Sequence, residues 1–295
     1  VATTNLKAAS SACTKHTISK KADTVTLTAK SATYTGSAIS ANTASATSGS
    51  TITYTYYNGT SWSGTAISAP TNVGNYSAKA TSAGNGNYSS NYKCVTHTIT
   101  KGTPSVTLSE KIATYTGSAI AANTATTKNP NGGAVTLTTT YTYYTNNTCT
   151  TGATTTAPTN VGNYYVKATT AQTTNLNAGA SGCVEHTISQ GTPTVSLADR
   201  STTYTGSGIT PGTVTSKQPN GETVTLTTTP KYYSDSSCAT ALSSAPVNVG
   251  TYYAKVTSTA TTNLKAATSN CAKITITKGT PSVTLGAKST TYTGS

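Results

Sequence analysis

Internal repetition constrains the fold of this chain more than any other feature. The segment Thr-Tyr-Thr-Gly-Ser occurs four times, and the tripeptides Asn-Val-Gly and Gly-Thr-Pro each occur three times. Successive Asn-Val-Gly segments lie 88 residues apart. A fixed period is typical of a chain that stacks one structural unit many times. The markers are Tyr34, Tyr115, Tyr204 and Tyr292; Asn72, Asn160 and Asn248; and Pro104, Pro193 and Pro281.

The period divides the 295 residues into three complete repeats and two partial ones. We define repeat 1 as residues 21–101, repeat 2 as residues 102–190 and repeat 3 as residues 191–278. Residues 1–20 match residues 259–278 closely, which predicts the C-terminal end of a preceding repeat. Residues 279–295 are interpreted as the start of a following repeat. We therefore expect a window onto a longer array.

Each repeat is predicted to be all-β, because short runs that alternate apolar and polar residues are separated by turn residues every 8–12 positions. In the run from Tyr164 to Thr169, Tyr164, Val166 and Ala168 share one face, while Lys167 lies on the other. A tyrosine soon after the Asn-Val-Gly turn is typical of the tyrosine corner of immunoglobulin-like sandwiches. Because proline restricts the very short joints between repeats, we expect an extended rod of tandem β-sandwiches.

The composition argues against several partners. Net charge is +13, but arginine, which nucleic-acid surfaces favour, occurs once among 19 basic residues, so nucleic acid is not expected. The spread positive charge allows weak attraction to acidic surface polymers or glycans. No apolar run is long enough to span a membrane. Disorder is disfavoured because Tyr, Val, Ile and Thr dominate, and these residues favour strands.

The six cysteines predict one disulfide in each of two repeats and an oxidising, extracellular location. Cys149 and Cys183 in repeat 2, and Cys238 and Cys271 in repeat 3, recur at equivalent positions. In repeat 1, Ser61 and Trp62 stand where the partner of Cys94 would be. Cys94 is therefore a candidate for a free thiol or an interchain bond. For Cys13 we expect a partner that lies outside the 295 residues.

No catalytic, cofactor or metal site is expected. His16, His97 and His186 occupy one position in successive repeats, which we interpret as a surface strand position, with Lys273 replacing them in repeat 3. Only six acidic residues are present, too few for calcium at each joint. Lys79, Lys167 and Lys255 recur on one strand, but because no acid recurs beside them, solvent-facing lysines are favoured over intramolecular isopeptide bonds.

Repeats 2 and 3 carry a Pro-Asn-Gly segment, at Pro130 and Pro219, that predicts a hairpin turn. Repeat 1 is six residues shorter there, between Tyr34 and Tyr56. If the array binds a ligand, loops that differ between repeats are where binding is expected.

The order of these motifs resembles bacterial immunoglobulin-like repeats of the MBG or YDG type. The resemblance rests on Tyr-Thr-Gly, Tyr-Tyr, Ala-Pro-Thr-Asn-Val-Gly-Asn-Tyr, then Asn-Leu or Asn-Tyr, and a closing Ile-Thr-Lys. It implies a non-enzymatic stalk module of a secreted or cell-surface protein such as an adhesin. We interpret the chain as the stalk of a surface adhesin or as the subunit of an extracellular filament. Its partners would be further copies of itself or neighbouring repeats. The alternative is an adhesin module that binds carbohydrate or host protein through its variable loops.

Overall fold

The computed structural model describes residues 4–294 of the chain; residues 1–3 and 295, at the outer ends of the two predicted partial repeats, lie outside the described residues. Residues 4–294 contain strands, turns and irregular segments and no helix, so they contain no helix long and apolar enough to cross a membrane. The chain forms two compact units. Unit 1 comprises residues 1–107, 125–140 and 168–181, and unit 2 comprises residues 108–124, 141–167 and 182–295.

The strands fall into the three repeats in chain order. Repeat 1 contains β1 (Lys21–Ala22), β2 (Val25–Thr26), β3 (Lys30–Thr33), β4 (Ser45–Ala46), β5 (Ile52–Asn58), β6 (Gly74–Ser82), β7 (Tyr88–Ser89) and β8 (Asn91–Thr100). Repeat 2 contains β9 (Ser105–Thr107), β10 (Lys111–Thr114), β11 (Thr126–Lys128), β12 (Thr139–Tyr144), β13 (Gly162–Thr170), β14 (Gly179–Ala180) and β15 (Val184–Ser189). Repeat 3 contains β16 (Thr194–Leu197), β17 (Arg200–Thr203), β18 (Val214–Lys217), β19 (Thr228–Tyr233), β20 (Gly250–Ser258) and β21 (Ala272–Thr277).

One strand arrangement recurs in all three repeats. A larger sheet has the order β3-β8-β6-β5 in repeat 1, β10-β15-β13-β12 in repeat 2 and β17-β21-β20-β19 in repeat 3. In each, the early strand is parallel to the last strand of the repeat, and the last strand is antiparallel to its other neighbour. A smaller antiparallel pair (β2–β4, β9–β11 or β16–β18) forms a separate sheet. The chain is therefore a tandem series of immunoglobulin-like β-sandwich repeats.

In unit 1, the core of repeat 1 lies between the β2–β4 sheet and the larger sheet. Val25 and Leu27 pack against Tyr56, Ala78 and Ala80 of the larger sheet. Along β6 the alanines are fully buried, whereas Lys79 between them is half-buried. This follows the predicted alternation, in which one face of a strand enters the core, although Ser77 on the Lys79 face is also buried.

In unit 2, the core of repeat 3 is richer in branched aliphatic side chains. Val195 and Leu197 of β16 pack with Val256 of β20 and with Ile274 and Ile276 of β21. These residues occupy every second position of their strands, so period-two patterning again selects the buried face.

The tyrosine corner is present in the first two repeats. The hydroxyl of Tyr76 donates to the backbone oxygen of Asn72 at 3.0 Å, and the hydroxyl of Tyr164 donates to that of Asn160 at 3.0 Å. Each bond ties the Asn-Val-Gly turn to the strand that follows it. The turn is thereby held in a defined position at the edge of its repeat.

The prediction of surface histidines is wrong for repeats 1 and 2. His97 and His186 are fully buried, because each lies two residues before a buried isoleucine and so points to the same face. The assignment of Lys273 as their counterpart is also wrong. Arg200 of β17 pairs with Ile274, as Lys30 of β3 pairs with His97, so isoleucine replaces histidine in repeat 3. His16 is exposed.

Candidate functional site

The repeated motifs of the sequence meet one another where one repeat is followed by the next. In unit 1, the side chain of Asn175 in repeat 2 lies against the Asn-Val-Gly turn of repeat 1. Its Oδ1 accepts a hydrogen bond from the Val73 N–H at 2.9 Å, and its Nδ2 donates to Asn72 Oδ1 at 2.9 Å. The oxygen of the Asn175 amide therefore bonds to a backbone N–H of the preceding repeat, and its nitrogen bonds to a side-chain oxygen of that repeat.

The same contact recurs in unit 2 between repeats 2 and 3. Asn263 Oδ1 accepts from the Val161 N–H at 2.9 Å, and Asn263 Nδ2 donates to Asn160 Oδ1 at 3.0 Å. Asn175 and Asn263 are 88 residues apart, which is the period of the chain. The contact is therefore a repeated feature of the junctions between consecutive repeats.

A short turn positions each of these asparagines. In repeat 2, Thr173 N–H donates to the Leu176 oxygen at 2.8 Å, and the Leu176 N–H donates to Thr173 Oγ1 at 3.1 Å. The first residue of repeat 2 also holds this turn in place, because the Gly102 N–H donates to the backbone oxygen of Asn175 at 3.1 Å. Thr261, Leu264 and Gly191 make the corresponding bonds in repeat 3.

The leucine of this turn supplies apolar packing to the junction. Leu264 of repeat 3 is 3% exposed and packs with Tyr115 and Ile188 of repeat 2. Burying a leucine side chain stabilises a structure by roughly 1.5–3 kcal/mol. The asparagine therefore orients the contact, and the adjacent leucine supplies a hydrophobic anchor.

The Pro-Asn-Gly hairpin makes the second contact of each junction. The Asn131 N–H donates to the Thr35 oxygen at 3.1 Å, and Asn131 Nδ2 donates to Ser37 Oγ at 3.0 Å. In unit 2, Asn220 bonds to Thr116 and Ser118 in the same way. The hairpin turn is formed as predicted, but its tip packs on the preceding repeat and is not a free ligand-binding loop.

Glycines of the markers are required by this close packing. Gly36 and Gly117 have φ values of 98° and 99°, in the region that favours glycine, and a Cβ on Gly117 would lie 2.6 Å from Gln218 Oε1. Gln218 itself accepts a hydrogen bond from the Tyr115 hydroxyl at 2.5 Å. A Cβ on Gly191 would lie 2.2 Å from the Tyr115 backbone oxygen. The glycines of the marker segments are therefore needed for the close packing of consecutive repeats at the junction.

Two named surfaces describe the junctions. The receiving face of a repeat is its Tyr-Thr-Gly-Ser and Asn-Val-Gly segments: residues 34–37 and 72–74, 115–118 and 160–162, or 204–207 and 248–250. The inserting face is the hairpin and the asparagine turn: residues 129–132 and 175–176, or 218–221 and 263–264. The bonds between these faces join amide, hydroxyl and backbone groups. Because these groups are uncharged, salt screening has little effect on them.

Disulfides join the cysteine pairs of repeats 2 and 3. Cys149 is bonded to Cys183 and Cys238 to Cys271, with Cα atoms 5.8 and 6.1 Å apart. Cys149 and Cys238 both have positive φ, in loops closed by the side chain of Asn146 or Asp235. The hydroxyl of Ser237 and nearby backbone N–H groups hold the pKa of Asp235 well below its usual range.

Repeat 1 has an open groove where the other repeats have a disulfide. Cys94 is half-buried and unbonded, and it lines this groove with Trp62, Tyr92 and Lys93. Burial raises the pKa of the Cys94 thiol. Lys79 Nζ lies 4.2 Å from the centroid of the Tyr92 ring, a cation–π geometry. Cys13 is exposed and is also unbonded within the described residues.

The buried histidines form edge-on pairs with buried tyrosines. The ring centroids of His97 and Tyr56 are 5.7 Å apart, and those of His186 and Tyr143 are 5.6 Å apart. Within residues 4–294, neither ring nitrogen of either histidine has a well-aligned hydrogen-bond partner, although the backbone of Ile39 or Ile120 is near enough to oppose the lowering of the pKa. Burial is the main cause that lowers the pKa of both histidines, followed by the nearby charge of Lys30 or Lys111. The imidazoles are therefore neutral core groups.

The acidic residues form no shared site. Within residues 4–294, no group of three or more His, Cys, Asp or Glu side chains converges as a metal site would require. Asp23 is buried, and its carboxylate accepts hydrogen bonds from the Ser48 hydroxyl and from the backbone N–H groups of Ser48 and Thr24. The Ser48 hydroxyl is the largest cause that lowers the pKa of Asp23. Asp23 therefore ties two loops together.

Sequence reasoning missed the roles of Asn175 and Asn263. The signal was present, because Thr-Asn-Leu recurs at the same position of repeats 2 and 3. Asparagine is also common in turns, however, and nothing local distinguishes a turn residue from one that contacts another repeat.

Comparison with known proteins gives only distant structural likenesses. No protein-family model matches the chain, and no curated protein matches it. Similar solved structures include Drosophila N-cadherin EC1-3 (12% identity, 71% of this chain, 78% of that chain, TM-score 0.23). They also include the N-terminal four Ig domains of Dscam1 isoform 9.44 (9%, 89%, 74%, TM-score 0.27). Three N-terminal domains of the bacteriophage RB49 Hoc protein also match (14%, 81%, 93%, TM-score 0.22). At these TM-scores the likeness carries no conclusion about function.

Proposed function

We propose that this chain is a structural stretch of an extracellular array of immunoglobulin-like repeats, with a role in adhesion. The observation that carries the proposal is that both junctions use the same residues, spaced 88 apart, to join consecutive repeats. Because the receiving and inserting faces pack consecutive repeats together, they favour a structural role over a catalytic one. The disulfides of repeats 2 and 3 support a secreted or cell-surface location.

The finer proposal is a bacterial repeat of the MBG or YDG type that serves as an adhesin stalk or filament subunit. Its motif order supports this, as does the match of residues 279–295 to the start of repeat 3, which we interpret as the beginning of a further repeat. Partners would be neighbouring repeats or other copies of the chain. Cys13 would bond to a cysteine outside these residues, and Cys94 remains a candidate for an interchain bond.

Electron microscopy of the native material tests this proposal. A stalk predicts separate thin particles, and a filament predicts ordered lateral or end-to-end contacts between copies. Particles whose repeats show no regular spacing would contradict both forms of the proposal. Non-reducing electrophoresis of the same material, with a Cys94→Ser variant as control, tests the interchain bond.

A second candidate function is glycan binding by repeat 1. The supporting observation is the groove beside Cys94, where Trp62 and Tyr92 are 47% and 57% exposed and lie near Lys93. Exposed aromatic rings beside a lysine suit a sugar that carries a carboxylate. A glycan microarray with the full chain tests this candidate. Binding that the Trp62→Ala variant loses would support it, and equal signals from both proteins, or none, would reject it.

A further inference from the structure

We propose that the receiving face of repeat 3, residues 204–207 and 248–250, is the docking surface for one further immunoglobulin-like repeat that presents a hairpin and an asparagine turn. This inference rests on the proposed array function. The structure contains two occupied examples of the same face, on repeats 1 and 2, which define what an occupant must supply. The occupant we commit to is a repeat whose first strands are residues 279–291.

The Tyr-Thr-Gly-Ser half of the face on repeat 3 is already formed. The Tyr204 N–H donates to the Thr277 oxygen at 2.8 Å, as the Tyr34 N–H donates to that of Thr100 at 2.8 Å. The Ser207 N–H donates to Thr205 Oγ1 at 3.4 Å, which reproduces the turn of the occupied faces. Gly206 has a φ of 79°, so the turn adopts the left-handed conformation there too. This half of the face therefore already has the conformation of the occupied faces.

The face is nevertheless open. Tyr204 is 46% exposed, whereas Tyr115 in the occupied face of repeat 2 is 8% exposed. Val249 is also exposed, and within residues 4–294 its N–H has no counterpart of the asparagine oxygen that Val161 receives. A Cβ on Gly206 would meet only the Tyr204 hydroxyl, at 4.0 Å. Within residues 4–294, a surface whose partner chemistry is known from the two occupied faces is therefore uncovered.

The unsatisfied groups specify the occupant. The Val249 N–H and the Asn248 amide require a side-chain amide, and the Thr205 oxygen requires the N–H of a hairpin tip. Repeat 1 of a second copy offers Asn87 at the position of Asn175, but it lacks the Pro-Asn-Gly hairpin, so it supplies half of the contacts. A full occupant is a repeat like repeat 2 or repeat 3.

Residues 279–291 indicate where that repeat is attached. They match residues 191–203, which contain the first two strands of repeat 3, at eight of 13 positions. Val283 and Leu285 are 90% and 95% exposed, whereas the matching Val195 and Leu197 are buried in the core. These side chains require the remaining strands of a sandwich to cover them, and such a sandwich would begin beside the open face, because a Cβ on Gly279 would lie 2.8 Å from the Tyr204 oxygen.

A lengthened chain tests the proposal. The probe consists of residues 1–278 followed by a second copy of residues 191–278, and mass spectrometry confirms that the added disulfide has formed. Amide hydrogen exchange at Val249 is compared in the original and lengthened chains by NMR. We expect exchange to slow at least about tenfold on lengthening, toward the rate of Val161, as one added hydrogen bond predicts.

The matched control changes the Asn263 counterpart of the added copy to alanine. Loss of the protection at Val249 supports the proposal. Exchange that is unchanged by lengthening, or protection that persists in the control, overturns it. Protection that rises with concentration in the original chain would overturn the committed occupant in favour of a second copy.

The same measurement separates this inference from the array proposal. If the amides of Val73 and Val161 are protected from exchange and the exchange rate of Val249 does not change when the repeat is added, only the inference about repeat 3 fails. If Val73 and Val161 exchange as fast as Val249 in the original chain, the junctions do not form in solution and the array proposal fails with them.

Discussion

Asn263 and Asn160 are joined side chain to side chain, with Asn263 Nδ2 donating to Asn160 Oδ1 at 3.0 Å. The other end of the Asn263 amide accepts the Val161 N–H, so the orientation of the amide is defined by both bonds. Asn175 makes the same pair of bonds one period earlier. Because the same contact occurs at both junctions, its contribution to stability at one junction can be measured while the other junction serves as the reference.

We expect Asn263→Ala to weaken the junction of repeats 2 and 3. Two hydrogen bonds of about 1 kcal/mol net each are lost, and the Val161 N–H is left without its acceptor. The measurement is the free energy of unfolding by denaturant together with amide exchange at Val161. Asn87→Ala, at the exposed equivalent position of repeat 1, is the matched control and should change neither. Equal effects of the two substitutions would contradict the assigned role.

Gly191→Ala should destabilise the same junction through a steric clash. Its Cβ would lie 2.2 Å from the Tyr115 backbone oxygen and 3.1 Å from Pro219 Cγ, and backbone cannot yield as a flexible side chain can. Overpacking of this kind costs about 1–3 kcal/mol. Thermal unfolding checks it against Gly86→Ala, where a Cβ meets nothing within 4 Å. A Gly191→Ala protein as stable as the Gly86→Ala protein would rule out this packing.

The buried histidines predict a loss of stability in mild acid. Their folded pKa lies below the ordinary value of 6.5, so the unfolded chain binds more protons as the pH falls through 6.5. Stability should therefore decrease from pH 7 toward pH 5, ahead of any loss from Asp23, whose lowered pKa acts only as the pH falls below about 3.8. Unfolding measured at a series of pH values checks both windows.

Isoleucine, the residue of repeat 3 at this position, should remove that pH dependence. The double variant His97→Ile and His186→Ile replaces two buried imidazoles that ionise in the unfolded chain below pH 6.5, so we expect the loss of stability between pH 7 and pH 5 to disappear. His16→Ile, at the exposed histidine, is the control for the substitution itself. A double variant that keeps the wild-type slope between pH 5 and pH 7 would show that other groups cause it.

The disulfides should stabilise repeats 2 and 3 but not repeat 1. Removing the bond that closes 33 residues, by Cys238→Ala with Cys271→Ala, should cost about 3–4 kcal/mol. The measurement is denaturant unfolding with and without reductant. Cys94→Ala, at the unbonded cysteine, should have little effect by comparison. A reductant that leaves the unfolding of the wild-type chain unchanged would contradict the prediction.

Local pattern predicted the sandwiches, while the junctions depend on contacts that local pattern does not contain. Alternation around Val166 identified a buried strand face because period two follows from backbone geometry. Asn72 and Asn175 are 103 residues apart, and only the packing of consecutive repeats brings them together. The prediction of a surface position for His97 failed because its polarity was given more weight than its shared face with Ile99.

Repeat 1 lacks the hairpin, and this restricts how such a gene can change in length. Duplicating or deleting one period of the type of repeat 2 or repeat 3 leaves every junction with both of its contacts, because each of these repeats carries an inserting face and a receiving face. Placing a copy of repeat 1 behind another repeat would leave the Tyr-Thr-Gly-Ser half of that repeat's face uncovered. Within residues 21–278, an added copy of the longer type should therefore keep both contacts of each junction, whereas an added copy of repeat 1 should weaken the junction that it forms.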